Sequence, residues 1–236
     1  MNRIYSLAAP AACLLLAAFD LGAQTEPRTP EAILQEAARA YAAIQSYSDS
    51  GTVVYRKPDG SERLAVAFHV WFKRPAHFRI DAESRAPGRE KGRREVMWSD
   101  GAAARTWASD KPVASHAKVK LVGSGMFGAY AYHVPTLLEA TYGGHRRLND
   151  LKAPTLIGEE KLGEIDCYRI KGDWEGDTYE VWIGKGDLLV RKIAAKYSDH
   201  TLEEVHREIT LNQPIPREVF HFAPENEVLP PPKTKK

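Results

Sequence analysis

The sequence predicts a mainly β protein of the α+β class, built on a strongly curved antiparallel sheet of about ten or eleven short strands, with one helix before the sheet and a helical insertion near the middle. Three observations carry this. From Leu64 to Lys73 the even positions Leu64, Val66, Phe68, Val70 and Phe72 are apolar, while the odd ones, Ala65, Ala67, His69, Trp71 and Lys73, are mixed. Strict alternation marks a strand with one buried face. Turn residues recur at short intervals along most of the chain, which suits a meander of hairpins. Helical periodicity is confined to residues 30–45 and a short central run.

The N-terminal helix opens at Thr29-Pro30-Glu31, where threonine can cap, proline suits the first position and glutamate meets the positive end of the dipole. Ile33, Ala37, Tyr41 and Ile44 share one face, and the polar run Ser46 to Gly51 is expected to end the helix. Thr52 to Arg56 then reads as a strand, Pro58-Asp59-Gly60 as a turn, and Arg63 to Lys73 as the antiparallel return. Arg74-Pro75 closes that strand, because proline cannot donate to a ladder. His77 to Ala82 follows. Arg85 to Arg94, with Pro87, Gly88 and Gly92 among basic residues, reads as a solvated hairpin tip, the alternative being a phosphate or lipid-headgroup contact. Glu95 to Trp98 and Ala102 to Ala108 complete the first meander, and Asp110-Lys111-Pro112 breaks the chain.

Leu121 to Tyr132 sets Gly123, Gly125 and Gly128 among Met126, Phe127, Tyr130 and Tyr132, and a short helical run, Leu137 to Ala140, follows. Glycine hinges among apolar residues suit a mobile plug or an ordinary packed connection alike. Strands resume at Thr155 to Lys161, Ile165 to Lys171, Thr178 to Ile183, Leu188 to Tyr197 and Leu202 to Leu211. In the last of these, Val205, Ile209 and Leu211 share parity. Val219 to Phe222 reads as a short closing strand. So many strands must curl as twist accumulates, and the apolar face becomes either a filled core or a pocket.

Residues 1–23 carry Arg3, an apolar run from Leu7 to Phe19 and then Leu21-Gly22-Ala23, the pattern of a cleaved secretory signal. Cys13 lies inside that run, with proline rather than leucine three residues before it, which disfavours a lipoprotein site. Cleavage after Ala23 leaves Cys167 as the only cysteine, so no internal disulfide can form. The expected organisation is a signal at 1–23, one domain over 24–225 and an exposed Pro/Lys-rich tail over 226–236. A net charge of +2 creates no field that would attract nucleic acid.

Catalytic patterns are not found. The eight histidines show no helical metal spacing and no accompanying cysteine pair. His200 and His206 are ~20 Å apart at strand rise, and hydrogen-bonded or solvated histidines are the expectation. Ser124, in Gly123-Ser124-Gly125, lacks a strand-turn-helix setting. Asp173, Glu175, Asp177 and Glu180 do not match a calcium loop and read as a hairpin connection. Cys167 reads as a buried structural thiol. No metal, cofactor or enzyme activity is expected.

The string Val70-Trp71-Phe72-Lys73-Arg74-Pro75, then Phe78-Arg79 and Ser99-Asp100-Gly101, resembles the LolA/LolB-like periplasmic lipoprotein-carrier superfamily. So do Tyr179 to Ile183, Leu188 to Ile193 and the ending Asn212 to Pro224, while Leu162-Gly163 to Cys167-Tyr168 resembles the uncharacterised predicted periplasmic branch of that fold. The resemblance implies an incomplete barrel, a half-barrel with helices over its mouth, and an apolar cavity for a lipid or lipoprotein acyl chain. It implies that Arg74 latches the lid, and that Leu64, Val66, Phe68, Val70, Phe72, Phe78, Ile80, Met126, Phe127, Leu137 and Leu138 line the cavity. The insertion Lys118 to Pro154 and the basic loop Arg85 to Arg94 depart from the true carriers, which points to a related carrier or sensor with another lipid ligand. The expected protein is a periplasmic monomer, with an inner- or outer-membrane protein as a second partner. The alternative is an envelope sensor module of the same fold that binds a protein.

Overall fold

The computed structural model describes residues 28–116, 133–139, 150–174 and 176–224. Eleven strands form one antiparallel sheet. They are β1 (Ser46–Arg56), β2 (Glu62–Lys73), β3 (His77–Arg85), β4 (Arg93–Asp100), β5 (Ala104–Ala108), β6 (Lys111–His116), β7 (Lys152–Leu162), β8 (Ile165–Trp174), β9 (Asp177–Gly184), β10 (Val190–Lys196) and β11 (Thr201–Leu211). The spatial order is β6-β5-β4-β3-β2-β1-β11-β10-β9-β8-β7. Two meanders are therefore joined at one seam, β1 against β11. The outermost strands β6 and β7 do not pair with each other, so the sheet stays open. Pro112 and Pro154 lie in these two strands, where a missing backbone donor costs least.

Helix α1 (Pro30–Ala43) starts as its sequence requires: the Thr29 hydroxyl accepts from the Ala32 amide at 3.2 Å, and Pro30 takes the first turn. Its buried residues Ile33, Leu34, Ala37 and Tyr41 join the main hydrophobic core. The Tyr41 hydroxyl accepts from the Val190 amide at 3.0 Å, which ties the helix to β10. A second helix, α2 (His133–Leu138), packs against α1 and β2. The covered face of the sheet follows the register. One row runs Ile193, Glu204, Val53, Val66, Ser84, and the next runs His206, Gly51, Phe68, Ala82, Glu95.

The opposite face carries a smaller cluster of Val96, Trp98, Trp107 and Phe222. Asp81 bridges Arg79 and Arg94 at 2.8 and 2.7 Å, and both guanidinium groups lie over the Phe222 ring. Although its burial opposes ionisation, hydrogen bonds from Arg94 and Arg79 hold the Asp81 carboxyl below its ordinary pKa. The C-terminal segment is thus strapped across this outer face.

Five expectations are corrected. Ser46 to Gly51 is the first half of β1, not a helix exit, because Tyr47 and Asp49 alternate inward and are buried. Lys111 to His116 forms an edge strand rather than a simple break. The inward residues of β11 are Leu202, Glu204 and His206, not Val205; a bulge at Glu208, with φ of 53°, then turns Ile209 and Leu211 toward the core. Val219 to Phe222 adds no strand. Arg217–Phe220 is a 3-10 turn, since Pro214 and Pro216 supply no donors and both edges of β1 are occupied by β2 and β11. Residues 86–92 connect β3 to β4, as read from the sequence, whereas Asp173, Asp177 and Glu180 lie in the paired strands β8 and β9 rather than in a connection.

Candidate functional site

The expected wall residues converge. Val66, Phe68, Val70 and Phe72 of β2 and Phe78 and Ile80 of β3 face the same side in direct register, Phe72 opposite Phe78 and Val70 opposite Ile80. All six are buried in one cluster with α1 and with Leu138 of α2. Leu64 and Leu137 are partly buried at its margin. In this conformation the apolar wall is closed over by the helices. Met126 and Phe127 lie outside the described residues, as does most of the insertion expected to act as a lid.

Arg74, at the β2–β3 turn, grips both helices at their C-terminal ends. Its Nε donates to the Ile44 carbonyl at 2.8 Å, and its Nη2 reaches the Ala42 and Tyr41 carbonyls at 3.2 and 3.4 Å. The same Nη2 donates to the Leu138 carbonyl at 2.6 Å, and Nη1 pairs with Glu139 at 3.2 Å. Helix ends leave carbonyls without intrahelical partners, and a guanidinium fork with several donors can satisfy those of two helices at once. A lysine would offer a point charge in its place.

The second feature was not expected. A chain of buried polar groups crosses the seam between the two meanders. The Tyr47 hydroxyl donates to Asp49 Oδ2 at 2.9 Å, and His206 Nδ1 donates to the same oxygen at 2.5 Å. His206 Nε2 then donates to Glu204 Oε1 at 2.9 Å, and Glu204 Oε2 accepts from Nδ1 of His133 on α2. Asp49, Glu204, His133 and His206 are all nearly inaccessible. Burial by itself would strip the His206 proton, but Asp49 and Glu204 outweigh it and lift the pKa to about 9. Burial likewise opposes ionisation of Glu204, yet the imidazoles of His133 and His206 hold its carboxyl far below the ordinary range. The Tyr47 hydroxyl is driven well above its ordinary value, by burial first and then by Asp49.

Gly51 makes the seam possible. A Cβ there would collide with the Phe68 ring and the Val205 carbonyl. Without one, Phe68 lies across β1 and meets the His206 ring at 5.4 Å between centroids. The relay is thus roofed by the same apolar residues that form the wall. Sequence periodicity missed it because these inward positions are polar. The available signal was Leu202, Glu204 and His206 at one parity.

The other chemical suspects resolve as structure. Cys167 is buried, with its thiol directed to the Ile165 carbonyl, and burial raises its pKa. His200 stacks on Tyr197 and pairs with Asp199. Among the described residues, no group of three or more His, Cys, Asp or Glu side chains is arranged to hold a metal ion, and no helix is long and apolar enough to cross a membrane.

Compared with known proteins, residues 137–228 match the model of a family described as a predicted periplasmic protein, DUF2092. No curated protein matches the chain. Among solved structures, a LolA superfamily protein from Nitrosomonas europaea is similar at 13% identity and a TM-score of 0.39, over 83% of this chain and 99% of that one. LprF from Mycobacterium bovis is similar at 11% identity and a TM-score of 0.49, over 79% and 94%. The MucA/MucB complex from Pseudomonas aeruginosa is similar at 14% and 0.41, over 83% and 62%. The first of these is described as a LolA superfamily protein, the superfamily that the short motifs resemble.

Proposed function

We propose that this is a non-enzymatic periplasmic carrier or binding protein that holds a lipid or lipoprotein acyl chain against the inner face of its curved sheet. The observation that carries the reading is the unbroken apolar floor of β2 and β3, whose described cover is two helices that Arg74 joins at their C-terminal ends. An acyl chain entering beneath them would gain ~0.8 kcal/mol per buried methylene, offset by the cost of ordering the chain and displacing the cover. That exchange needs an apolar wall and a separable cover, and no catalytic group. The family description and the N-terminal secretory pattern support a periplasmic setting.

Uptake of a fluorescent acyl probe tests the reading, with Arg74→Leu as the informative variant. The wild-type protein is expected to bind the probe with an apolar emission shift. Arg74→Leu is expected to change probe retention more than melting temperature. Equal losses of both would reduce Arg74 to a structural role. No uptake by the wild-type protein, together with capture of a membrane protein partner, would favour the sensor reading instead.

A further inference from the structure

We infer that Glu95 of β4 receives the polar head of the bound amphiphile, accepting a hydrogen bond from a head group that carries a donor, an ammonium or a hydroxyl. This rests on the carrier reading and adds the chemistry of the ligand's head. Glu95 continues an inner row of the sheet that runs Gly51, Phe68, Ala82, Glu95, Ala108, so it shares a face with the apolar floor. Its side chain is 4% exposed. Oε1 pairs with Arg93, whereas Oε2 is buried and has no hydrogen-bond partner. An ionised carboxylate only accepts hydrogen bonds, and its neighbours in the row, Ala82 and Ala108, have no side-chain donor to offer.

A buried acceptor without a donor costs free energy, and native structures keep few of them. The polar groups diagonal to Glu95 on the same face are already served. Ser84 Oγ donates to the Arg93 carbonyl at 3.2 Å, and Thr106 Oγ1 meets His116 Nε2 at 2.9 Å. Among the described residues, the other buried carboxylate oxygen in this condition is Asp49 Oδ1. Asp49 is wholly enclosed, and its Oδ2 already takes the donors of Tyr47 and His206. Glu95 is the carboxylate with an open demand.

Glu95 also stands where a head group belongs. Arg93, two residues earlier on the same face, is 34% exposed and pairs with the 58% exposed Asp110 at 3.0 Å, so water reaches this end of the row. On its other side lies the row of Val70, Ile80 and Met97, all members of the main core. A tail laid on β2 and β3 would place its head at Glu95, toward the end of the floor away from Arg74.

The full chain is loaded with Nile red, an uncharged apolar probe, which is then displaced by decylammonium, decanol or decyl methyl ether. The three share a tail, and the ether keeps an oxygen but has no donor. On the wild-type protein both donors are expected to displace the probe at about a tenth of the ether concentration or less. A lead of the ammonium over the alcohol assigns the head to a cation, and parity assigns it to a hydroxyl; either supports the inference. In Glu95→Met, which keeps the length of the side chain and removes the acceptor, the three ligands are expected to agree within about twofold.

The melting temperature of unliganded Glu95→Met gives a second readout. Replacing an incompletely paired buried charge by an apolar group of similar volume is neutral or stabilising, so no fall is expected. A marked fall would make Glu95 a structural partner of Arg93 and overturn the inference. Equal displacement by all three ligands on the wild-type protein would also overturn it while leaving the carrier reading intact, as would a donor preference that survives in Glu95→Met. No uptake of Nile red and no binding of any of the three would overturn both.

Discussion

Strand β2 and the β1–β11 seam lie side by side under the same helices, yet they are built on opposite principles. The inward side chains of β2, Val66, Phe68, Val70 and Phe72, are apolar and non-directional. Such a surface accepts any apolar partner of suitable volume, whether its own helices or a foreign chain. The inward groups of the seam, Asp49, Glu204 and His206, are directional and mutually dependent. A buried polar network is stable only when its members are paired, and it admits few alternative arrangements. The difference separates the parts: β2 and β3 present an apolar, non-directional surface, whereas the seam ties the two meanders and α2 through paired polar groups.

The largest effect is expected from truncating the seam. Glu204→Ala removes the acceptor of both His133 and His206 and leaves buried donors behind, a loss of about 3–5 kcal/mol. At this chain length that corresponds to a fall in melting temperature of roughly 6–20 °C, measurable by calorimetry. A loss no greater than that of a surface substitution would mean that the seam does not tie the meanders.

The seam should also make stability depend on pH on both sides. His206 has a pKa raised from 6.5 to about 9, so its contribution is fully present below 6.5 and lost as pH rises through about 9. Glu204 is shifted the other way from 4.5, so its contribution is present above 4.5 and lost as pH falls below that value. Melting temperature is therefore expected to be highest near pH 4.5–6.5 as far as these two groups decide it. In a His206→Leu variant the alkaline decline should flatten. An unchanged alkaline limb would assign it to other groups.

The smallest effect is expected on the wall. Ile80→Val removes one methylene beside Val70 and should cost about 0.5–1.5 kcal/mol, with no change in the pH profile. A pH-dependent loss there would show that wall and seam are not separable.

The same contrast explains what the sequence made legible. Where burial is apolar, period and turn chemistry were sufficient. The β2 alternation, the Thr29-Pro30 helix start and the hairpin turns all appear where they were read. Where burial is polar, the pattern misleads. Ser46 to Gly51 looks like a loop because nothing in it is strongly apolar except Tyr47, although Asp49 is wholly buried. In β11 the apolar residues Val205, Ile209 and Leu211 suggested one face, but the bulge at Glu208 changes parity between them. Long-range pairing decides such cases, since Asp49 is acceptable in the core only because His206 meets it from a strand 157 residues away. Arg74 was legible as a residue of interest through its motif, but its grip on two helix ends depends on how α1 and α2 converge.

If the β2–β3 floor exchanges its cover for an acyl chain, the most direct measurement is the content of the floor itself. Mature protein purified gently, without detergent, and extracted for mass spectrometry is expected to yield a lipid or lipopeptide in near-stoichiometric amount. A clean extract, with no uptake of an acyl probe by the same preparation, would contradict the claim and leave the floor as an ordinary core.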